Sequence, residues 1–479
     1  QGLKEMISLL TLSDVLKAVS GICLGATDDT GDSYGCFSSV ATDSRKVKEG
    51  SLFVPLVGEN QNGHIYISAA IEKGSSVVFI EKNEYNSAKA KYDEMASLHK
   101  NVAFVVTENN LYALQRAATM YVDSFPELIK IGVTGSSGKT TTKEILVSIL
   151  SQKYSVIANE GNLNSETGLP LSVFNIRKEH EVGVFEMGMN RVDEIGELSR
   201  ILRPKYAVIT NIGTAHIGIL GSRENIASEK KKIFSQFDSN SFAYIPKNDD
   251  FCTFLSEGVK GSIIYYGSDD DASIVFEKDL GLEGIQFRVD GVSMKLGIPG
   301  MYNYRNACAA IKVALSLGLS PLEIKKGVEA MKSIFGRCEV LREKYTIIQD
   351  CYNANPDSME KAIDFCSLVK YDGKKIFVLG DMLELGKDSK AEHALIGKQA
   401  ASSTADILIF VGTEMESGYK CAKEANTTKK ILYFNGKDDV VMQNICDIIL
   451  KIASAGDLIL LKASRGMGLE RLTKLVLGK

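Results

Sequence analysis

Across residues 1–127, short apolar runs such as SLFVPLV (51–57), SSVVFIE (75–81) and VAFVV (102–106) alternate with polar turns. That spacing predicts the strands of a small α/β domain. The pattern resets near YVDSFPELIK, where Pro126 follows a helical stretch and LIKIGVT (128–134) opens a new strand. Beyond it, runs such as VGVFEMG and YAVITNIG alternate with helical segments, as in a parallel sheet covered on both faces. A second reset falls at SIFGRCEVL, after which YTIIQDCYNANP, KIFVLGD, DILIFVG and DLILLKAS read as strands of a doubly wound unit. The expected fold class is α/β in three domains. Residues 1–127 form a small N-terminal α/β domain, 128–335 a central P-loop-type parallel sheet, and 336–479 a C-terminal Rossmann-like domain.

Composition narrows the function classes. At 479 residues the chain is too long for one ordinary core, and about three domains suit it. Lys+Arg 56 against Asp+Glu 60 leaves a net charge of −4, too weak a field to invite nucleic acid or anionic lipid. The nine cysteines show no Cys-x-x-Cys pair, which points to reduced thiols and a cytoplasmic protein. QGLKEMISLLTLSDVLKAVSG is interrupted by Ser13, Asp14 and Lys17 and reads as an amphipathic helix rather than a signal sequence. No run approaches the roughly 20 apolar residues of a membrane span, so no membrane insertion is expected.

The chemistry is concentrated in a few stretches. In VTGSSGKTTT the common phosphate loop would have a glycine where Val133 stands, and the extra glycine is moved to Gly135. The strand-loop-helix context lets the loop amides and the helix N-terminus converge on phosphate oxygens. Lys139 can neutralise these oxygens, and the Thr140 hydroxyl can reach Mg²⁺. Glu186 ends a strand where ligands of open α/β sheets collect, and it is either a metal carboxylate or a solvated strand end. Asn211 and His216 follow the next strand to the same edge. In ENIASEKKKIFSQF, positions Ile226, Ala227, Lys230, Ile233 and Phe234 share one helix face, so Lys230 sits on the inward stripe while Lys231 and Lys232 point elsewhere. Partial burial favours a neutral amine; a snorkelling stem is the alternative. Asn303 and Asn306, one turn apart, can read a base edge or cap their helix. Arg337, Asp350, Tyr352, Asn353 and Asn355 gather around a strand end of the third domain, where a guanidinium can clamp a triphosphate.

The ordered stretches VTGSSGKTTT, GNLNSETGLP, FEMGMN, TNIGTAHI, EKKKIF, PGMYNYRNACAA, GRCEV, DCYNANPDSM and VLGDMLELG closely resemble the Mur ligase family. The resemblance runs from ATDSRKV through LLKASRGMGLE, nearly the whole chain. It implies ATP-dependent amide formation through an acyl phosphate, in peptidoglycan synthesis. DCYNANPDSM with GDMLELG implies the member whose substrates are a UDP-N-acetylmuramoyl tripeptide and D-alanyl-D-alanine. Other amide ligases of the family remain an alternative, as does a nucleotide-switch ATPase. The resemblance assigns ATP to Thr134, Gly135, Ser136, Ser137, Gly138, Lys139 and Thr140, with Asn303 and Asn306 beside adenine and Arg337 and Asp350 closing over the nucleotide. Thr140, Glu186, His216 and Lys230 would hold Mg²⁺, with Lys230 carbamylated, and with Lys139 four of these, Lys139, Glu186, His216 and Lys230, form the catalytic set. Ser44, Arg45, Asn164, Tyr352, Asn353 and Asn355 would bind the other substrates, and a monomer is expected. Ser165, Thr167, Tyr302 and Lys232 depart from the usual family residues.

Overall fold

The computed structural model describes residues 8–24, 34–59, 61–425 and 428–478. The chain divides into two compact units. The first comprises Gln1–Gly132, Ser155–Met189 and Glu194–Lys205; the second comprises Val133–Tyr154, Asn190–Asp193 and Tyr206–Lys479.

In the first unit, β1 (Ile22–Leu24), β2 (Ser39–Ala41), β3 (Ser51–Phe53), β4 (Ser75–Glu81) and β5 (Ala103–Thr107) form a sheet in the order β1-β5-β4-β3-β2. Only β1 runs antiparallel to its neighbour. The three apolar runs picked out by periodicity are β3, β4 and β5. Phe53, Val78, Ile80 and Phe104 from these strands enter one core with Ile67, Tyr92 and Ala96 of the covering helices. The N-terminal amphipathic helix is Leu12–Val19, capped by Thr11 and burying Val15, Ala18 and Val19; residues 1–7 of that stretch lie outside the described residues. The strand β6 (Ile129–Thr134) begins in the first unit and ends in the second. Also in the first unit, β7 (Val156–Ala158) pairs in parallel with β8 (Val182–Glu186).

The second unit carries β9 (Tyr206–Ile209), β10 (Phe242–Pro246) and β11 (Ser262–Tyr266), all parallel. It then adds an antiparallel sheet that the sequence reading did not anticipate: β12 (Ile274–Asp279), β13 (Ile285–Val289) and β14 (Val292–Leu296). The last sheet contains β15 (Glu339–Arg342), β16 (Thr346–Asp350), β17 (Lys375–Gly380), β18 (Ile407–Val411), β19 (Lys430–Phe434) and β20 (Leu458–Lys462), ordered β15-β16-β20-β17-β18-β19. All but the edge strand β15 are parallel. Its apolar runs are continuous because consecutive residues enter different cores. Phe377, Leu379, Leu408 and Leu460 lie in one, and Ile376, Val378, Ile409 and Leu461 in the other. A period of two divided between two buried faces is the doubly wound arrangement that those runs predicted.

Candidate active site

The phosphate loop joins β6 to the helix Lys139–Leu150, whose first-turn Thr142 amide already donates to Gly138. Gly138 has φ 78°, and a Cβ there would stand 2.5 Å from the Asn306 side-chain oxygen, so the position admits only glycine. At Gly135, φ is 151° and a side chain would collide with Thr210, which explains the shifted glycine of the sequence. Asn211 holds the loop from behind. Its carbonyl accepts from the Ser136 amide at 3.0 Å, its side-chain oxygen from the Ser137 amide at 3.2 Å, and its side-chain nitrogen donates to the Ser137 carbonyl at 2.9 Å. The Thr210 hydroxyl also donates to that carbonyl, at 2.6 Å. The Lys139 ammonium lies over the loop, donating to the Gly135 carbonyl at 2.9 Å.

Arg337 reaches the same loop. Its guanidinium donates to the Thr140 hydroxyl at 3.1 Å and stacks 4.1 Å from the Tyr352 ring centroid. Its buried Nε has no hydrogen-bond partner among the described residues. Asn303 and Asn306 are both buried on the helix Met301–Ser316. Asn303 donates to the Pro299 carbonyl at 2.7 Å, and Asn306 donates to the Asn303 side-chain oxygen at 3.3 Å. The Asn306 side chain thus packs directly against Gly138 of the phosphate loop.

His216 has φ 64° and Glu384 has φ 71°, both in the left-handed region that costs a non-glycine residue energy. Their side chains face each other: His216 Nδ1 lies 3.3 Å from a Glu384 carboxylate oxygen, without the alignment of a hydrogen bond. Burial pushes the His216 pKa down; Glu384 opposes this, and the cations of Lys139 and Lys230 reinforce it. Glu384 is held below the usual carboxylate range, chiefly by His216. Lys230 is 1% exposed on the helix Arg223–Lys231, with Ile226, Ala227, Ile233 and Phe234 buried around it as the 3.6-residue period requires. Lys231 leaves toward solvent and donates to the Phe254 carbonyl at 2.6 Å. Lys232 instead pairs with the buried Glu229 at 2.8 Å and with Asp193 at 2.9 Å, so it neutralises a carboxylate rather than facing only water. Glu229, outside the apolar stripe, is a buried charge that the periodicity missed.

Around the last sheet, Asp350 is bound on both sides. One oxygen accepts from the Cys338 amide at 3.2 Å, and the other pairs with buried Lys462 at 2.9 Å. Lys462 also donates to the Asn353 carbonyl at 2.9 Å, fixing the turn after β16. Asn355 is the N-cap of the helix Pro356–Leu368, its side-chain oxygen accepting from Ser358 at 2.9 Å. Its carbonyl end is therefore committed to the helix, while exposed Asn353 faces outward.

In the first unit, Glu186 is 3% exposed and accepts from the Asn164 amide at 2.7 Å. Asn159, which the sequence reading did not single out, brackets the Glu186 backbone with a donated and an accepted bond of 2.9 and 2.8 Å. Two residues assigned to different ligands are thus brought together there. Ser44 and Arg45 lie in a short turn capped by Asp43. The exposed Arg45 guanidinium grips the Asp43 carboxylate with two nitrogens and lowers its pKa to about 2.

Two further histidines are structural. His393 donates from Nδ1 to the Ser389 carbonyl at 2.7 Å, which leaves Nε2 to accept from the Met382 amide at 2.9 Å in the loop that carries Glu384. His64 accepts from the Glu81 amide in the same manner at 3.0 Å. Burial lowers both pKa values from the ordinary 6.5. A group whose folded pKa is depressed stabilises the fold fully above its ordinary value, and the contribution is lost as pH falls through the folded value. We therefore predict that the melting temperature falls as pH drops below 6.5. Replacing His393 by Gln should flatten part of that slope; a parent profile without any slope there would remove the neutral-imidazole assignment.

A strand, a glycine-bearing loop and a helix N-terminus backed by a lysine define a phosphate-binding α/β protein. The Mur ligase family, catalytic domain, matches residues 37–122; the Mur ligase middle domain matches 133–314; and the Mur ligase, glutamate ligase domain, matches 336–465. The chain belongs to the Mur ligase family. It is similar to the UDP-N-acetylmuramoyl-tripeptide--D-alanyl-D-alanine ligase of Treponema pallidum, at 38% identity over 98% of this chain and 99% of that protein. Among solved structures, MurF from Acinetobacter baumannii superposes with a TM-score of 0.85 at 29% identity, covering 98% of this chain and 99% of the other. MurF ligase from Thermotoga maritima in complex with ADP gives 0.76 at 29% identity, covering 91% and 96%. Among the described residues no helix is long and apolar enough to cross a membrane.

Proposed function

We propose that this chain is an ATP-dependent ligase that joins D-alanyl-D-alanine to a UDP-N-acetylmuramoyl tripeptide, giving the pentapeptide precursor of peptidoglycan. The observation that carries the reading is near full-length likeness to a ligase of that name, in a chain whose phosphate loop gathers Lys139, Thr140 and Arg337. In the reaction a tripeptide carboxylate oxygen attacks the γ-phosphorus of ATP, the bond to the bridging oxygen breaks, and ADP leaves an acyl phosphate behind. The D-alanyl-D-alanine amine then attacks the acyl carbon, and the tetrahedral intermediate loses a proton and expels phosphate. Activation is needed because a carboxylate oxygen is a poor leaving group.

Two anions meet in the first step, and Lys139 and Arg337 are the cations that offset their repulsion. A hydroxyl and a buried carboxylate are hard oxygen donors of the kind Mg²⁺ accepts while keeping positions for phosphate and water. Thr140, Glu186, His216 and Lys230, the last as a carbamate, would hold Mg²⁺, which when bound screens charge at the transferring phosphoryl group. Asn303 and Asn306 serve the adenine and Asp350 orders the segment that closes on ATP. Ser44, Arg45 and Asn164 serve the nucleotide sugar and its peptide, and Tyr352, Asn353 and Asn355 the dipeptide. The domains are 1–127, 128–335 and 336–479, in a cytoplasmic monomer.

The test is mass spectrometry of products from purified protein with ATP, Mg²⁺, D-alanyl-D-alanine and a panel of UDP-muramyl tripeptides. Phosphate release without the dipeptide, and no ligated product with any tripeptide, would favour a nucleotide-switch ATPase instead. For the dipeptide segment, Asn353→Ala should raise KM for D-alanyl-D-alanine more than for ATP. Asn355→Ala removes a helix cap as well, so it should also lower stability by about 1 kcal/mol. Equal KM changes for the two ligands in Asn353→Ala would take that residue out of dipeptide recognition.

A further inference from the structure

The helix Pro356–Leu368 begins directly after the segment assigned to the dipeptide, and its second residue, Asp357, does more than complement the helix N-terminus. One Asp357 carboxylate oxygen accepts from both the Thr214 amide, at 2.6 Å, and the Thr214 hydroxyl, at 2.7 Å. Thr214 follows Gly213, whose amide donates to the Ser136 hydroxyl of the phosphate loop at 2.8 Å, and it precedes His216 by two residues. A chain of short polar contacts therefore runs from the start of the dipeptide-side helix to the phosphate loop. A second connection lies upstream on the same segment, where Tyr352 supports Arg337 and Arg337 donates to Thr140.

An acidic residue in the first helical turn needs no partner, because the helix dipole already favours it. What calls for explanation is the geometry: two donors from a residue 143 positions away in sequence converge on a single oxygen. Both bonds are in the short range of charge-assisted hydrogen bonds, roughly twice as strong as neutral ones. The Thr214 amide belongs to a loop with no ladder partner for it, so the carboxylate satisfies a backbone donor that helix or sheet does not.

We propose that Asp357 and Thr214 form a latch that registers the dipeptide-binding segment against the phosphate loop, making Asp357 a positioning residue for the amine-transfer step. The inference rests on the ligase reading for its kinetic consequence but not for the contact itself. With the latch closed, Asn353 and Tyr352 are held at a fixed distance from Ser136 and Lys139, so the amine and the acyl phosphate meet in one geometry. Without it ATP still finds its loop, but the dipeptide side is no longer in register.

The test compares Asp357→Ala, Thr214→Val, Thr214→Ser, the Asp357→Ala/Thr214→Val double variant and, as a control on the exposed side of the same helix, Glu360→Ala. Backbone hydrogen exchange of the ATP-free protein is read first: Asp357→Ala should speed exchange at Thr214, whereas Glu360→Ala should not. In ligation assays Asp357→Ala should lower kcat by about 10-fold or more, the strength expected of hydrogen bonds to a charged group, with KM for ATP nearly unchanged. Thr214→Ser keeps both donors and should match the parent. The double variant should be no worse than Asp357→Ala alone, because both remove one interaction. Unchanged exchange at Thr214 in Asp357→Ala, or strictly additive losses in the double variant, would overturn the latch. Absence of ligation by the parent protein would instead strike the ligase reading, and the exchange comparison would still decide the contact.

Discussion

Lys139→Ala is expected to reduce ligation by about 1,000-fold, the upper range for removing a preorganised group that meets developing charge. The lysine stands at the first position of its helix with its ammonium on the Gly135 carbonyl, so its charge is delivered where the loop amides converge. Alanine is the best helix former, and the loop keeps its bonds to Asn211 and Thr210 when the Lys139 bond to Gly135 is lost. Folding should therefore be intact. Circular dichroism and the melting temperature are read beside the initial rate; a folded variant turning over at near-parent rate would remove Lys139 from the phosphate site.

Replacing Lys230 is expected to be nearly as damaging, by more than about 100-fold, as for a lost metal-ligand group. At this position an ammonium would repel the magnesium that a carbamate would bind. Carbamate formation joins the neutral amine nitrogen to the carbon of CO₂ and releases a proton, turning a cation into an oxygen ligand. Truncation to Ala also leaves a cavity among Ile226, Ala227, Ile233 and Phe234, costing on the order of 2 kcal/mol or more. Lys230→Met fills that space and separates packing from chemistry: it should fold like the parent and still fail to ligate. Short carboxylic acids should restore part of the activity of Lys230→Ala, and short amines should not. Rescue by amines alone would contradict the carbamate. Lys231→Ala should behave like the parent, whereas Lys232→Ala should lose stability because it removes the cation paired with the buried Glu229 carboxylate, which keeps the Asp193 amide bond.

Much of this molecule is determined by local sequence. Strands such as β17, β18 and β20 are legible because both faces of each are buried, so their apolar runs are unbroken and bounded by turns. The placement of Lys230 follows from helical periodicity alone, and the phosphate loop from a glycine spacing that backbone sterics demand. β13 and β14 alternate apolar and polar residues on either side of Asp290-Gly291, a hairpin signal that the reading passed over, whereas β12, exposed along most of its length, carries no such alternation. Asn355 carries two roles that a sequence string cannot separate, because a cap and a ligand group use the same amide. The tertiary structure alone decided why Gly135 must be glycine, what faces His216 and where the Asp357 carboxylate goes. Thr210, Glu384 and Thr214 are each brought to those positions from distant parts of the chain. Periodicity reports which side of an element is buried; it carries no information about which distant side chain arrives there, and that choice sets the chemistry of the site.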